Sequence, residues 1–390
     1  MPLVLTLDCI ADAAAVIDGR AAPSAAASGG TFLPLKCLPL ALPAPPPPPQ
    51  ATPQAPAARV LAVHDVEDDL LHLLRAIDQL LQWRVDVINL SLGPAQPLVA
   101  DHPLALALRT AWQGGTCVVV AAGNWGPAPD SLQPLARLPH VISVGATDGE
   151  GRLLESSSRG IPGGAGPALV AAGTTVHYPG VPDFEPGTSF AAPRVAGLAL
   201  VLLRALQLLH QDFVDVSRGQ WSALTPPVRR PVVGLADTGI NRAALPDRAE
   251  LEAMTWHGGT SVQLSRLPQD QAWVQAVGQG LGRLGLRCDF KVTPDEIRRA
   301  LAQAATPVPD REPWEVGAGV IDDAQAIAWL ASFTASRFVA LCGVDSLTDR
   351  QREGLVALDA SAGSRWSADV AAYFITLFRQ TARHAMVKVL

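Results

Sequence analysis

The sequence predicts an α/β fold, with a mostly parallel sheet held between layers of helices. Three observations carry this. Short, mostly apolar runs alternate with segments of helical spacing from Arg59 onward. The runs are apolar at consecutive positions, as strands buried on both faces are. One apolar stretch, Leu198 to Leu209, is hydrophobic nearly all round, which marks a helix buried on most sides.

Taken in order, residues 1–56 form an N-terminal segment and linker. Leu3 to Leu7 reads as a strand ending at Asp8, followed by Ala/Gly/Ser-rich sequence. Pro43 and the run Pro45 to Pro49 then make a stiff, extended spacer. From residue 57 to 209 the pattern is regular. Arg59 to Val63 is a strand. Asp68 to Trp83 is a helix with Leu70, Leu73, Leu74, Ile77, Leu80 and Leu81 on one side. Val85 to Gly93 is a strand, Leu104 to Gln113 a helix, and Thr116 to Asn124 and Val141 to Ala146 are further strands. Residues 210–290 break this order and read as an insertion with Pro226, Pro227 and Pro231. Regularity resumes over 291–330. Thr293 is an N-cap, Pro294 occupies the first helical position and Glu296 completes a capping box. Residues 331–390 form a helical C-terminal extension, with Ala371 to Val389 amphipathic.

Composition narrows the function. Of 390 residues, 48% are hydrophobic and 17% charged, which describes a globular chain with a large core. A net charge of −6 gives no electrostatic footprint for nucleic acid or an anionic membrane. Asp8 interrupts the apolar N-terminus and no basic region precedes it, so it reads poorly as a signal peptide. Five scattered cysteines form neither a disulfide framework nor a metal-ligand spacing, and point to the cytoplasm. Nothing specifies an oligomeric state.

The chemistry gathers at Pro186-Gly-Thr-Ser-Phe-Ala-Ala-Pro-Arg-Val-Ala-Gly197. Ser189 falls at the first turn of the apolar helix, where free N–H groups and the positive helix end suit a nucleophile and an oxyanion. Pro193 is tolerated there because early helical positions need no N–H partner. These twelve consecutive positions resemble the nucleophile motif of the subtilisin-like serine proteases, the subtilases. Ala121-Ala-Gly-Asn124, 65 residues before Ser189, is similar to the oxyanion segment of that family. Ser91-Leu92-Gly93 resembles its extended substrate-binding segment, where exposed backbone pairs a peptide as an added strand. Val141 to Thr147, Ser156 to Gly160, Thr293 to Ala305 and Trp314 to Ile321 extend the likeness.

The resemblance implies the three-layer subtilisin-like fold and a serine endopeptidase acting on a peptide or protein through an acyl-enzyme on Ser189, with Asn124 holding the oxyanion. No cofactor is implied. Structural calcium is common in relatives, but no loop here has a readable ligand pattern, so no metal ligand is assigned. The chain departs from the family in its Asp/His half. The family order is Asp, His, Asn, Ser, yet no His precedes Arg59. Asp8 and the Ser28-Gly-Gly-Thr31 segment occupy those places without the expected residues. Asp237-Thr-Gly-Ile240 and His257-Gly-Gly-Thr260, both in the insertion, resemble the missing motifs, and the 20-residue separation is the same in both pairs. Two readings follow: Asp237 and His257 complete a triad from the insertion, or the chain is an inactive relative that binds a peptide or protein partner.

Overall fold

The computed structural model describes residues 59–63, 70–82, 85–94, 97–99, 101–174, 186–222, 232–236, 268–287 and 290–372. Strands β1 (Arg59–Val63), β2 (Val87–Leu90), β3 (Cys117–Ala121), β4 (Ile142–Thr147), β5 (Leu169–Ala172) and β6 (Val232–Ala236) form one sheet. Its order is β1-β6-β2-β3-β4-β5, and every neighbouring pair is parallel.

Strand alternation builds the layers. Ile88, Leu90, Val118 and Val120 face one core with helices α1 (Leu70–Gln82) and α2 (Pro103–Gln113). Val87, Cys117, Val119 and Ala121 face the other, with Ala192, Val195 and Ala199 of α3 (Thr188–Ser217). Both faces are covered, which is why these strands lack polar alternation. The fold class expected from the sequence is the one observed.

Two features of α3 differ from the sequence reading. The helix begins at Thr188, as the placing of Ser189 in its first turn expects, but runs on to Ser217, past the end of the Leu198–Leu209 run. By length and composition it could cross a membrane, but 89% of its apolar window is buried in the fold, so it is a core helix. Pro193 is also its sixth residue, past the positions that need no N–H partner. A residue with an N–H there would bond the Ser189 carbonyl one turn back. With proline, that carbonyl accepts instead from Ser91 Oγ, at 3.1 Å. The missing bond thus adds a polar link between the end of β2 and the first turn of α3.

The 210–290 stretch supplies more than loops. Strand β6 lies between β1 and β2, with Val233 opposite Val87 and Ala236 opposite Leu90. Helix α4 (Pro268–Arg283) packs on α3 through Trp273, Val274 and Val277. Helix α5 (Pro294–Ala304) begins with the capping box expected at Thr293 and Glu296. After the short turn α6 (Pro313–Val316) come α7 (Asp323–Ala331), α8 (Ala335–Leu341) and α9 (Asp349–Ala362). Of the Ala371–Val389 helix, residues beyond 372 lie outside the described set.

The C-terminal helices are fastened to α3 by an aromatic cluster and a buried cation. Phe213 of α3 stacks on Phe338 at 5.2 Å and meets Trp273 edge-on. Arg365, 8% exposed, pairs with Asp212 of α3 and Asp270 of α4. A cation shared by two sequestered carboxylates is costly to remove, because each keeps its desolvation penalty. Arg365→Ala should lower unfolding free energy by about 3–5 kcal/mol, measured by urea denaturation. A loss below about 1 kcal/mol would mean that the cluster is solvated like a surface pair.

Candidate active site

Three loops converge beyond the carboxyl ends of β2, β3 and β5, the edge at which parallel sheets bind ligands. Gly173, past β5, accepts from the Gly187 N–H at 2.9 Å and so delivers the chain to the start of α3. Gly187 is the N-cap and Ser189 the second helical residue. The Ser189 N–H has no carbonyl in its own helix to bond, as is true of every first-turn residue.

Asn124 meets this helix end from β3. Its Oδ1 accepts from the Thr188 N–H at 2.9 Å and from Thr188 Oγ1 at 3.0 Å. Thr188 Oγ1 also accepts from the Gly123 N–H at 3.2 Å. Thr188 is fully buried whereas Asn124 is exposed. Two donors on the amide oxygen decide which end of the Asn124 side chain faces away. Nδ2 makes no hydrogen bond among the described residues and is left to donate elsewhere. The loop beneath is held by Ser158, whose N–H donates to Gly123 O at 2.9 Å and whose Oγ accepts from the Trp125 N–H at 3.0 Å.

Ser189 is linked to β2 in both directions. Its Oγ donates to Ser91 O at 3.4 Å, and its carbonyl accepts from Ser91 Oγ. Asn89 Nδ2 donates to Ser91 Oγ at 3.1 Å. Ser91 is buried, Leu92 half-buried and Gly93 exposed, so the segment emerges from the core as it passes the nucleophile candidate. Arg194, one turn beyond Ser189, donates to both oxygens of Thr174 at 3.1 Å, and burial lowers its guanidinium to about 10. Burial pushes the Cys117 thiol far up, aided by Asp86 and Asp295, so it is no nucleophile.

Ser189, Asn124 and Ser91–Gly93 are therefore brought together. Asp237 and His257 lie outside the described residues, as do Asp8 and Ser28. Among the described residues no histidine bonds Ser189. His102 caps α2 through Nδ1, and the His210 ring packs against Phe290. The sequence reading missed Thr188 as the residue that orients Asn124. Its place in the Gly-Thr-Ser string was the available signal.

A family model described as the Subtilase family matches residues 49–214. This match supports assigning that segment to the subtilase family. The chain is 31% identical over 183 residues to the human membrane-bound transcription factor site-1 protease, covering 44% of this chain and 17% of that protein. It is 36% identical over 157 residues to a thermophilic serine proteinase of Bacillus sp. (strain AK1), covering 38% of this chain and 36% of the relative. The chain thus aligns with well under half the length of either. Among solved structures, the prenylagaramide maturation protease PagA is 22% identical, with a TM-score of 0.40, over 67% of this chain and 68% of that one.

The Thr188 contacts can be tested without any assay of function. Thr188→Val keeps the shape but removes the hydroxyl that serves both Asn124 and Gly123. It should cost about 1–3 kcal/mol of stability, the penalty for a buried group left unpaired, while Thr188→Ser should cost much less. Equal denaturation midpoints for the valine variant and the parent protein would show that the hydroxyl bonds carry no net energy.

Proposed function

We propose that this chain is a serine endopeptidase that hydrolyses peptide bonds through an acyl-enzyme on Ser189. The observation that supports it best is the Asn124–Thr188 pair. An amide whose oxygen is tied down beside a helix N-terminus holds its N–H₂ ready for a developing negative charge. In this reading Ser189 Oγ attacks the scissile carbonyl, and its proton passes to the His257 imidazole. The carbonyl oxygen, now negative, is held by Asn124 Nδ2 and the Ser189 N–H. His257 returns the proton to the leaving amine, and water then hydrolyses the ester by the same path in reverse. Asp237 orients the imidazole and stabilises its charged form.

Supply of Asp237 and His257 from the insertion is supported by the position of β6. Its last residue, Ala236, pairs with Leu90, and Leu90 precedes Ser91. The next residue in the chain after Ala236 is Asp237. A strand late in the sequence thus enters the sheet beside the strand that carries Ser91. The substrate is a peptide or protein chain paired along Ser91, Leu92 and Gly93. A reducing, cytoplasmic setting belongs to the same proposal, on the odd number and scattered spacing of the five cysteines.

Labelling by an alkyl fluorophosphonate reads the activated serine directly. The parent protein should label, Ser189→Ala and His257→Ala should each abolish labelling and turnover, and the double variant should be hardly worse than either single. Labelling that survives Ser189→Ala would sink the reading. A folded parent protein that never labels but binds peptide would make the chain an inactive, partner-binding relative. A second measurement isolates the oxyanion donor. Asn124→Ala should lower kcat by roughly 10²–10³ with KM little changed. A rise in KM alone would make Asn124 a substrate-positioning residue instead.

A further inference from the structure

The space between the two segments that flank Ser189 is occupied. Gln133 precedes the short 3-10 turn Pro134–Arg137 and is 4% exposed. Its N–H donates to Ala122 O at 2.9 Å, and its Nε2 donates to Ala121 O. Its Oε1 reaches across to Gly93, where any β-carbon would run into it. The side-chain amide therefore bridges the end of β3 to the segment leaving β2. Glycine at position 93 is what allows this approach. The residues on either side of Gln133, Leu132 and Pro134, line a hollow of about 660 Å³ with Leu98, Trp125 and Leu138, but Gln133 itself does not line it.

We propose that Gln133 sets the size of the substrate side chain accepted on the acyl side of the cleaved bond, restricting that residue to glycine, alanine or serine. The inference rests on the proposed roles of Ser189, Asn124 and Ser91–Gly93. With the attacked carbon at Ser189 Oγ and its oxygen at Asn124 Nδ2, the residue that owns the carbonyl runs along Ser91–Gly93. Its side chain then leaves the backbone between the ends of β2 and β3, where the Gln133 amide sits. A methyl or hydroxymethyl group rests against that amide. Leucine or phenylalanine has to displace it, which breaks the Ala121 hydrogen bond in a buried place. A polar, tethered plug therefore discriminates more sharply than an apolar wall, which yields to one extra methylene at modest cost.

The test uses the full chain and fluorogenic peptides that differ only at this residue, as Gly, Ala, Ser, Leu or Phe. Matching peptidyl aryl phosphonates report the same preference through the rate of serine labelling. The parent protein should favour alanine over phenylalanine by about 100-fold or more in kcat/KM. Gln133→Gly should raise kcat/KM for phenylalanine at least about tenfold while alanine changes by less than about threefold. Gln133→Ala replaces it if the glycine variant does not fold, and the parent series decides by itself. A parent protein that takes phenylalanine as readily as alanine overturns the role of Gln133 and leaves the hydrolase intact. So does a folded variant whose preference matches the parent's. Absence of all turnover and labelling overturns the hydrolase reading, and this inference with it.

Discussion

The two hydrogen bonds from Thr188 to Asn124 Oδ1 are the constraint on which the site depends. They join the loop after β3 to the first turn of α3, two elements distant in sequence. They also settle the orientation of an exposed amide that solvent would otherwise leave free to rotate. A donor aimed in advance costs no reorganisation when charge develops, and such preorganisation is where most of an electrostatic contribution to catalysis resides. The hydroxyl of Thr188 could not act this way in water. It does so because it is fully buried, with the Gly123 N–H donating to its oxygen from the other side of the junction.

The second link, between Ser91 and Ser189, shows a helix defect put to use. Proline in a helix interior normally weakens it by removing one bond. Here the carbonyl freed by Pro193 is Ser189's own, and Ser91 Oγ supplies the replacement donor. The Ser91–Gly93 segment and Ser189 are thereby held in one register. Asn89 supports Ser91 from within the strand. Side chains at 87, 89 and 91 share the face packed on α3 because strand residues alternate with period two. Their chemistry changes along that face from apolar core to polar site.

The insertion and the C-terminal helices belong to the same mechanical unit as the site. Strand β6 completes the sheet between β1 and β2, and α4 covers α3. Arg365 then closes the arrangement by bonding one residue from α3 and one from α4. A long apolar helix needs cover on every side. In this chain its distal half is covered by residues that follow the subtilase segment, through Trp273, Phe290, Phe333 and Phe338.

The sequence by itself determined most of the elements and the resemblance to the subtilases. Strands buried on both faces are mostly apolar rather than alternating, so β2, β3 and β4 were legible as runs. The Thr293 capping box was legible because its partners are three residues apart. Ser189 and Asn124 stood out because their neighbours form an unbroken motif. Strand β5 and helix α4 were not drawn from the sequence. Leu169–Ala172 is only four residues long, and α4 carries Gly278, Gly280 and Gly282 with a mixed polar pattern. Only the tertiary structure decided that β6 sits between β1 and β2, that Pro193 frees Ser189's carbonyl for Ser91, and that Gln133 reaches Gly93. Each of these is a contact between residues at least 40 apart or a gap in a hydrogen-bond ladder. Local periodicity encodes which face a residue presents. It does not encode which distant backbone will meet that face, because the meeting is set by how the layers pack as a whole.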